Sequence, residues 1–434
     1  MQNAWKVPEL RKKILFTLFV VIVFRIGSVI PIPFLSATTL KSLMASQTGT
    51  GSFFDYLNIL SGGAFEHATL FALSITPYIT ASIVMQLMTV VFPFLEKMSK
   101  EGEEGRKKLS AITRYLTVAL GLFQGTAYYF YLKNNHVTLF NSGWESVFSA
   151  IIIILTFTAG TALIMWMGEQ INQKGIGNGI SILLFAGIVA RMPVMIATLY
   201  QYWNFALQSP ENYGKFFFFV PFFLVLFLAV MWVIVFMNDA ERRIPVQYAK
   251  RVVGRKMYGG QSSHIPVKVS GSGVMPIIFA SSILNFPLMI KQFWSNPPAF
   301  ITAISNIFDT RGWVYPSLYF LLIIAFSYFY LSIQYNSMEM ANNLRQSNGT
   351  IPGIRPGKPT SDFISRVLAK ITLIGALFLG FIAVLPFIYG AVSDMHNMTF
   401  LGGTSIIIMV GVALETVKQM ESQMMMRHYK GFLD

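Results

Sequence analysis

Apolar runs near 14–31, 68–92, 110–132, 147–167, 178–200, 217–238, 273–292, 315–335, 367–388 and 402–422 constrain this chain more than any motif in it. Each can cover a hydrocarbon core of roughly 30 Å, which takes about 20 helical residues. Together they predict an all-α integral membrane protein with ten transmembrane helices. Ten runs divide into two sets of five, and an odd number per half turns the second half over. That predicts two inverted five-helix halves, 1–200 and 201–434, facing a central pathway. No clear sequence repeat accompanies the count.

Charge sets the direction. With the amino terminus in the cytoplasm, only Lys41, Lys133, Arg191, Lys215, Lys291 and Arg311 fall on the far side, and Arg25 lies inside the first run. The rest of the 33 lysines and arginines gather in the N-terminal segment, the loops near 96–109, 168–177, 239–270 and 337–366, the tail, and the span ends at Arg114, Lys370 and Lys418. The positive-inside rule then places both termini in the cytoplasm. The net charge of +14 follows from this orientation and calls for no nucleic acid. Lys6, Arg11, Lys12 and Lys13 before ILFTLFVVIVF imitate a signal peptide. Arg25 and Pro31 stand where a small-residue cleavage site would be, so the first run is expected to remain as a span.

Most membrane chemistry is missing from the sequence. Cysteine is absent, which removes disulfides, thiolate nucleophiles and cysteine metal sites. Proton relays and catalytic acids sit within spans, yet Glu169, Asp239, Glu339, Glu415 and Glu421 fall at span ends. The histidines His67, His136, His264, His396 and His428 show no metal-ligand spacing. There is no His-Glu-x-x-His, no Gly-x-Ser-x-Gly and no Walker loop, and GIGNGI at 175–180 lacks the dinucleotide fingerprint. Neither an enzyme nor a resident cofactor or metal is expected. A proton-coupled transporter would also suit ten helices in inverted halves, but it needs a midplane carboxylate or histidine that this chain lacks.

Three stretches do carry a pattern. FFDYLNIL at 53–60 is too short to span and breaks at Ser61-Gly62-Gly63; Phe53, Phe54, Leu57 and Leu60 share one face of two helical turns, and the glycines supply a hinge. A re-entrant piece that seals a structural gap fits this pattern as well as a moving element does. The loop 238–270 alternates through IPVQYAKRVV, turns around Gly254-Arg255-Lys256 and alternates again in HIPVKV, which reads as a protruding basic hairpin. The loop 337–366 is rich in Gly and Pro around 342–363 and presents Arg345, Arg355 and Lys358 on a stiff surface. Positive-inside charge on a linker explains such residues too, although two patterned loops on one face favour docking of a large acidic or phosphate-rich partner.

The chain resembles the SecY family, the channel subunits of the bacterial protein-conducting translocon, from first span to tail. The likeness rests on SGGAFEHATLFALSITPYITASIVMQL (61–87), KEGEEGRKKLSAITRY (100–115), MGEQINQKGIGNGISILLFAGIVA (167–190), the ERR, YAKR and GR elements of the basic loop, PVKVSGSGVMPIIFASSILNFP (266–287), IPGIRPG (351–357) and GGTSIIIMVGVALETVKQM (402–420). The first span ends IPIPF, where relatives commonly carry glycine after the second proline.

The resemblance implies an hourglass channel that translocates unfolded secretory proteins and releases apolar segments sideways into lipid. It assigns residues 52–63 to a plug, including Phe53, Phe54, Leu57, Leu60, Gly62 and Gly63. It assigns Ile75, Ile79, Ile180, Leu184, Ile278 and Ile408 to a pore ring, an apolar collar that would dewet and block ions. Leu184 departs from the common isoleucine but keeps the apolar volume. Spacing alone cannot separate these six from ordinary helix-packing aliphatics. Gln86 and Asn285, costly against lipid, map to the lateral gate, where a polar contact across the seam or a local hydrogen bond would satisfy them. Arg242, Arg243, Arg251, Arg255, Lys256, Arg345, Arg355 and Lys358 map to docking of the SecA ATPase or the ribosome. SecE and SecG are the implied membrane partners, signal-bearing precursors the cargo, and the bacterial inner membrane the location.

Overall fold

The computed structural model describes residues 5, 7–36, 38–40, 42–43, 58, 61–140, 143–248, 251–253, 256–258, 262–271, 273–291, 298–301, 308, 312–393 and 403–430. A helix occupies every expected span. In chain order these and their short companions are α1 (Pro8–Gly27), α2 (Thr76–Val91), α3 (Pro93–Lys100), α4 (Glu103–Asn134), α5 (Gly143–Lys174), α6 (Gly179–Ala190), α7 (Met192–Gln208) and α8 (Phe216–Asp239). Strands β1 (Glu241–Tyr248), β2 (Arg251–Val253), β3 (Lys256–Tyr258) and β4 (Ser262–Lys268) follow. The chain continues with α9 (Met275–Lys291), α10 (Val314–Gln334), α11 (Ser337–Gln346), β5 (Gly349–Thr350), α12 (Lys358–Ser393) and α13 (Thr404–Lys430).

Among the described residues, five helical stretches are long and apolar enough on their own to cross a membrane, namely Gly143–Lys174, Gly179–Gln208, Phe216–Asp239, Val314–Gln346 and Lys358–Ser393. The pair α2 and α3 makes a sixth if taken as one span bent by 103°. Phe92 at the bend is extended, with φ −102° and ψ 114°, because Pro93 behind it disfavours the helical region. The remaining span helices carry charge within the run, as at Lys12, Lys13 and Arg25 in α1 and Glu415, Lys418 and Glu421 in α13, or are shorter, as in α9.

The second span departs from expectation. Residues 68–75 read as its start, but the helix begins only at Thr76, and residues 61–75 run as successive turns with every residue buried except Glu66, His67 and Leu70. Non-helical backbone without water must be enclosed by protein, and here glycines leave the room. A Cβ on Gly160 of α5 would lie 2.0 Å from the Leu70 carbonyl oxygen, and one on Gly27 would strike the Phe71 ring. Phe24 stacks on Phe71 at 5.7 Å, and Phe65 stacks on Tyr128 of α4 at 4.3 Å. Backbone bonds from Ile32 N to Ala68 O and from Leu70 N to Ile30 O tie the segment to the end of the first span. Ala68 and Ser74 hold left-handed φ values of 42° and 53°, which cost roughly 1–2 kcal/mol each and persist because the packing over-determines them.

The chain forms two compact units: residues 1–227, 282–316 and 385–434 in one, and 228–281 with 317–384 in the other. In the second unit the expected basic hairpin is present. β1 and β4 pair antiparallel from Glu241↔Lys268 to Gln247↔Ser262, and β2 pairs with β3 through Val252↔Met257. The expected turn at 254–255 lies outside the described residues. The loop 337–366 is more than a stiff surface: α11 is capped by the Asn336 side chain, and β5 adds to the hairpin through Gln247↔Thr350. The result is a three-stranded sheet in the order β4-β1-β5. Ile244, Val246, Val267, Leu344, Ile351, Ile364 and Leu368 form its core, so the two loops fold as one α/β module.

Candidate functional site

Three of the six expected pore-ring residues sit on elements fixed by the GIGNGI turn and its neighbours. Asn178 caps α6 by accepting from Ile180 N at 3.2 Å and Ser181 N at 3.4 Å. Asn172 Oδ1 accepts from Gly179 N at 2.7 Å, and Thr17 Oγ1 of α1 accepts from Ile176 N at 3.1 Å. A Cβ on Gly179 would stand 2.0 Å from the Gly168 carbonyl oxygen of α5, so α5 and α6 touch backbone to backbone. These contacts fix the rotation of α6 and with it Ile180, half-buried, and Leu184, buried. α13 packs against α6 and carries Ile408, 3% exposed. Ile75 is buried at the start of α2, with Ile79 half-buried one turn on. Ile278 is half-buried on α9 in the second unit.

Phe53, Phe54, Leu57 and Leu60 lie outside the described residues. The turn that follows them is defined, and its glycines are packed. Gly62 has φ +65° and Gly63 φ +92°, both in the region that disfavours a side chain. A Cβ on Gly62 would meet Gly187 Cα of α6 at 3.0 Å, and one on Gly63 would meet Arg191 Nη1 at 3.3 Å. Arg25 of α1 donates from Nη1 to the Gly62 carbonyl at 2.8 Å. Glu66 Oε2 accepts from Asn58 Nδ2 at 2.9 Å and from Arg191 Nη1 at 3.2 Å. Glu66 precedes the second expected span by two residues. Burial would raise its pKa, but the hydrogen bonds from Asn58 and Arg191 outweigh burial and hold it below the ordinary carboxylate value. Sequence reading counted Arg191 only for orientation, used Arg25 only against a cleaved signal peptide, and did not single out Glu66. The signal was available, since an arginine inside an apolar run needs a partner.

Gln86 donates to Ser82 Oγ of its own helix at 3.5 Å. Asn285 on α9 is 5% exposed, and its Nδ2 meets no acceptor among the described residues. Arg242 and Arg243 are exposed on β1 ahead of buried Ile244 and Val246, and Arg243 pairs with Glu241 at 2.7 Å. Arg251 and Lys256 fall on β2 and β3, and Arg255 lies outside the described residues. Arg345 is exposed in the last turn of α11. In IPGIRPG, buried Ile351 and half-buried Ile354 anchor the loop to the sheet core while Arg355 and Lys358 stay exposed. Gly353 and Gly357 have φ +80° and +104° and meet nothing within 4 Å.

A family model described as SecY matches residues 69–417. The chain is 43% identical to the protein translocase subunit SecY of Streptomyces coelicolor over 442 residues, covering 99% of this chain and 98% of that one. Its fold is similar to a SecY structure whose plug domain is described as stabilising the closed state of the translocation channel and maintaining a membrane seal, with TM-score 0.65, 16% identity and coverage of 95% and 92%. It is also similar to Sec61 in a canine ribosome–channel complex from the endoplasmic reticulum, with TM-score 0.57, 17% identity and the same coverage.

Proposed function

The chain belongs to the SecY family, and on that premise we propose that it is the protein-conducting channel of a bacterial cytoplasmic membrane, with both termini in the cytoplasm. It passes unfolded secretory chains across the membrane and releases apolar segments into lipid. The observation that carries this reading is the likeness to a protein translocase subunit along nearly the whole chain. The local geometry supports it: aliphatic side chains occupy the family's ring positions on α2, α6, α9 and α13, and the segment 61–75 is threaded between helices ahead of α2.

In this reading Ile75, Ile79, Ile180, Leu184, Ile278 and Ile408 form a compliant collar. It excludes ions by dewetting yet yields to an extended polypeptide without binding it tightly. Residues 52–63 plug the outer side. Gln86 and Asn285 face the lateral gate, where the unmatched Asn285 amide has reason to seek a partner across the seam. The chain performs no catalysis itself. SecE and SecG complete the channel, and SecA or the ribosome supplies the driving force by docking on the basic α/β module. Its arginines have the planar donor fork that suits carboxylates and phosphates.

The test is reconstitution of the chain with SecE in vesicles, with SecA and ATP added. A signal-bearing precursor becomes protease-protected if the reading holds. A precursor that stays fully digestible at normal SecE assembly would contradict it.

A further inference from the structure

The turn at residues 61–66 is held in two different ways. Its base is apolar and enclosed: Phe65 is 1% exposed and stacked on Tyr128, whose hydroxyl donates to the Phe65 carbonyl at 2.8 Å. Its rim is polar. Asn58 closes the turn by accepting from Glu66 N at 3.1 Å through Oδ1 and from Gly63 N at 2.8 Å through its carbonyl, and by donating to the Glu66 carboxylate. Arg25 reaches the rim from α1. Arg191 reaches it from the junction between α6 and α7, and its side chain is only 9% exposed against 30% for Glu66.

These partners belong to elements that the channel reading sets in motion. α6 carries Ile180 and Leu184, and the residues just before Asn58 are the family's plug. An apolar stack deep in the protein yields only with the fold, whereas a partly hydrated ion pair can exchange its partner for water and re-form. The polar rim is thus the part of the turn that gives way first when the closed channel yields.

We propose that Glu66, Arg191, Asn58 and Arg25 form a polar latch on the Gly62-Gly63 turn, and that its strength sets how good a signal segment must be to open the channel. These are specificity-determining positions for translocation, acting by position and not by contact with the cargo. The inference rests on the channel reading above.

The experiment uses the full chain assembled with SecE in vesicles and compares wild type, Glu66→Gln, Arg191→Gln, the double Gln variant and the exchange Glu66→Arg with Arg191→Glu. Three quantities are read: SecE co-purification, ion leak without precursor, and translocation of a weak-signal precursor relative to a strong-signal one. The latch predicts normal assembly, with severalfold higher leak and a severalfold higher weak-to-strong ratio in each single variant. The double variant should match the singles, and the exchange should move both quantities back toward wild type. Single variants that match wild type while wild type translocates would overturn the latch alone. Additive effects, or an exchange worse than either single variant, would reduce the pair to general scaffolding and overturn it as well. A wild-type complex that protects no precursor would overturn the channel reading, and the latch with it.

Discussion

Two glycine turns in this chain look alike as sequence and differ as structure. Ser61-Gly62-Gly63 and the IPGIRPG loop both place glycines at positive φ. At Gly62 and Gly63 a Cβ would meet Gly187 at 3.0 Å and Arg191 at 3.3 Å, so the turn is clamped against its neighbours. At Gly353 and Gly357 a Cβ would meet nothing within 4 Å, and the loop leaves Arg355 exposed. The first glycine pair is packed against neighbouring helices and the second stands clear of them. A residue pattern that marks a turn does not say which of the two it is. What decides is whether other elements arrive at the glycine.

The contrast predicts a graded set of failures. The largest is expected beside the clamped segment, at Gly160→Ala, whose Cβ would fall 2.0 Å from the Leu70 carbonyl oxygen. Backbone cannot swing aside as a side chain can, so the loss exceeds the ~1–3 kcal/mol of ordinary overpacking. Assembled protein per cell should drop severely, and near-normal accumulation would mean that the 61–75 path is not this tightly enclosed.

Gly62→Ala and Gly353→Ala come next and separate the two turns directly. Both incur the left-handed cost of roughly 1–2 kcal/mol, but only Gly62 adds a contact at 3.0 Å with Gly187. Thermal unfolding of the purified complex should therefore fall more for Gly62→Ala, and ion leak should rise only there. Equal shifts without leak would erase the distinction.

Ile408→Asn addresses the collar with a smaller change in stability. An amide in the constriction wets it, so ion leak should rise and signal demand loosen at normal assembly. Unchanged conductance would return Ile408, buried on α13, to plain core packing.

The smallest effect concerns pH. Because the Glu66 pKa is lowered from its ordinary 4.5, what its charge contributes is fully present above that value. It is lost only as pH falls through the lower folded value. Leak through the wild type should stay flat from pH 8 to pH 5, and a rise near pH 6 would show that Arg191 does not hold the carboxylate.

How much was legible in the sequence follows from what each element required. Span helices declare themselves by length and apolarity, and each of the ten runs holds one. The β1–β4 hairpin declared itself by alternation, and Ile244 and Val246 are buried as that alternation demands. The third strand did not, because Gly349-Thr350 is two residues long and carries no period. Residues 68–75 misled in the other direction. ATLFALSI is apolar enough for a helix, and Gly27 and Gly160, far off in the chain, make room for its turns. The latch was hidden for a related reason: its members, Arg25, Asn58, Glu66 and Arg191, are far apart in the chain, and a count of basic residues for orientation says nothing of which of them meet.

The central claim of the proposed function is that the seal at the Gly62-Gly63 turn and the docking of the driver on the basic module are separate, so the two must fail separately. Leak without precursor and SecA-driven translocation per assembled channel, measured on the same vesicles for Arg355→Glu and Glu66→Gln, test this most directly. The account predicts that Arg355→Glu assembles with SecE and does not leak but loses translocation at least tenfold, with Arg355→Lys in between. It predicts that Glu66→Gln leaks and still translocates. An Arg355→Glu channel that leaks or translocates normally, or a Glu66→Gln channel that stays sealed but cannot translocate, would contradict it.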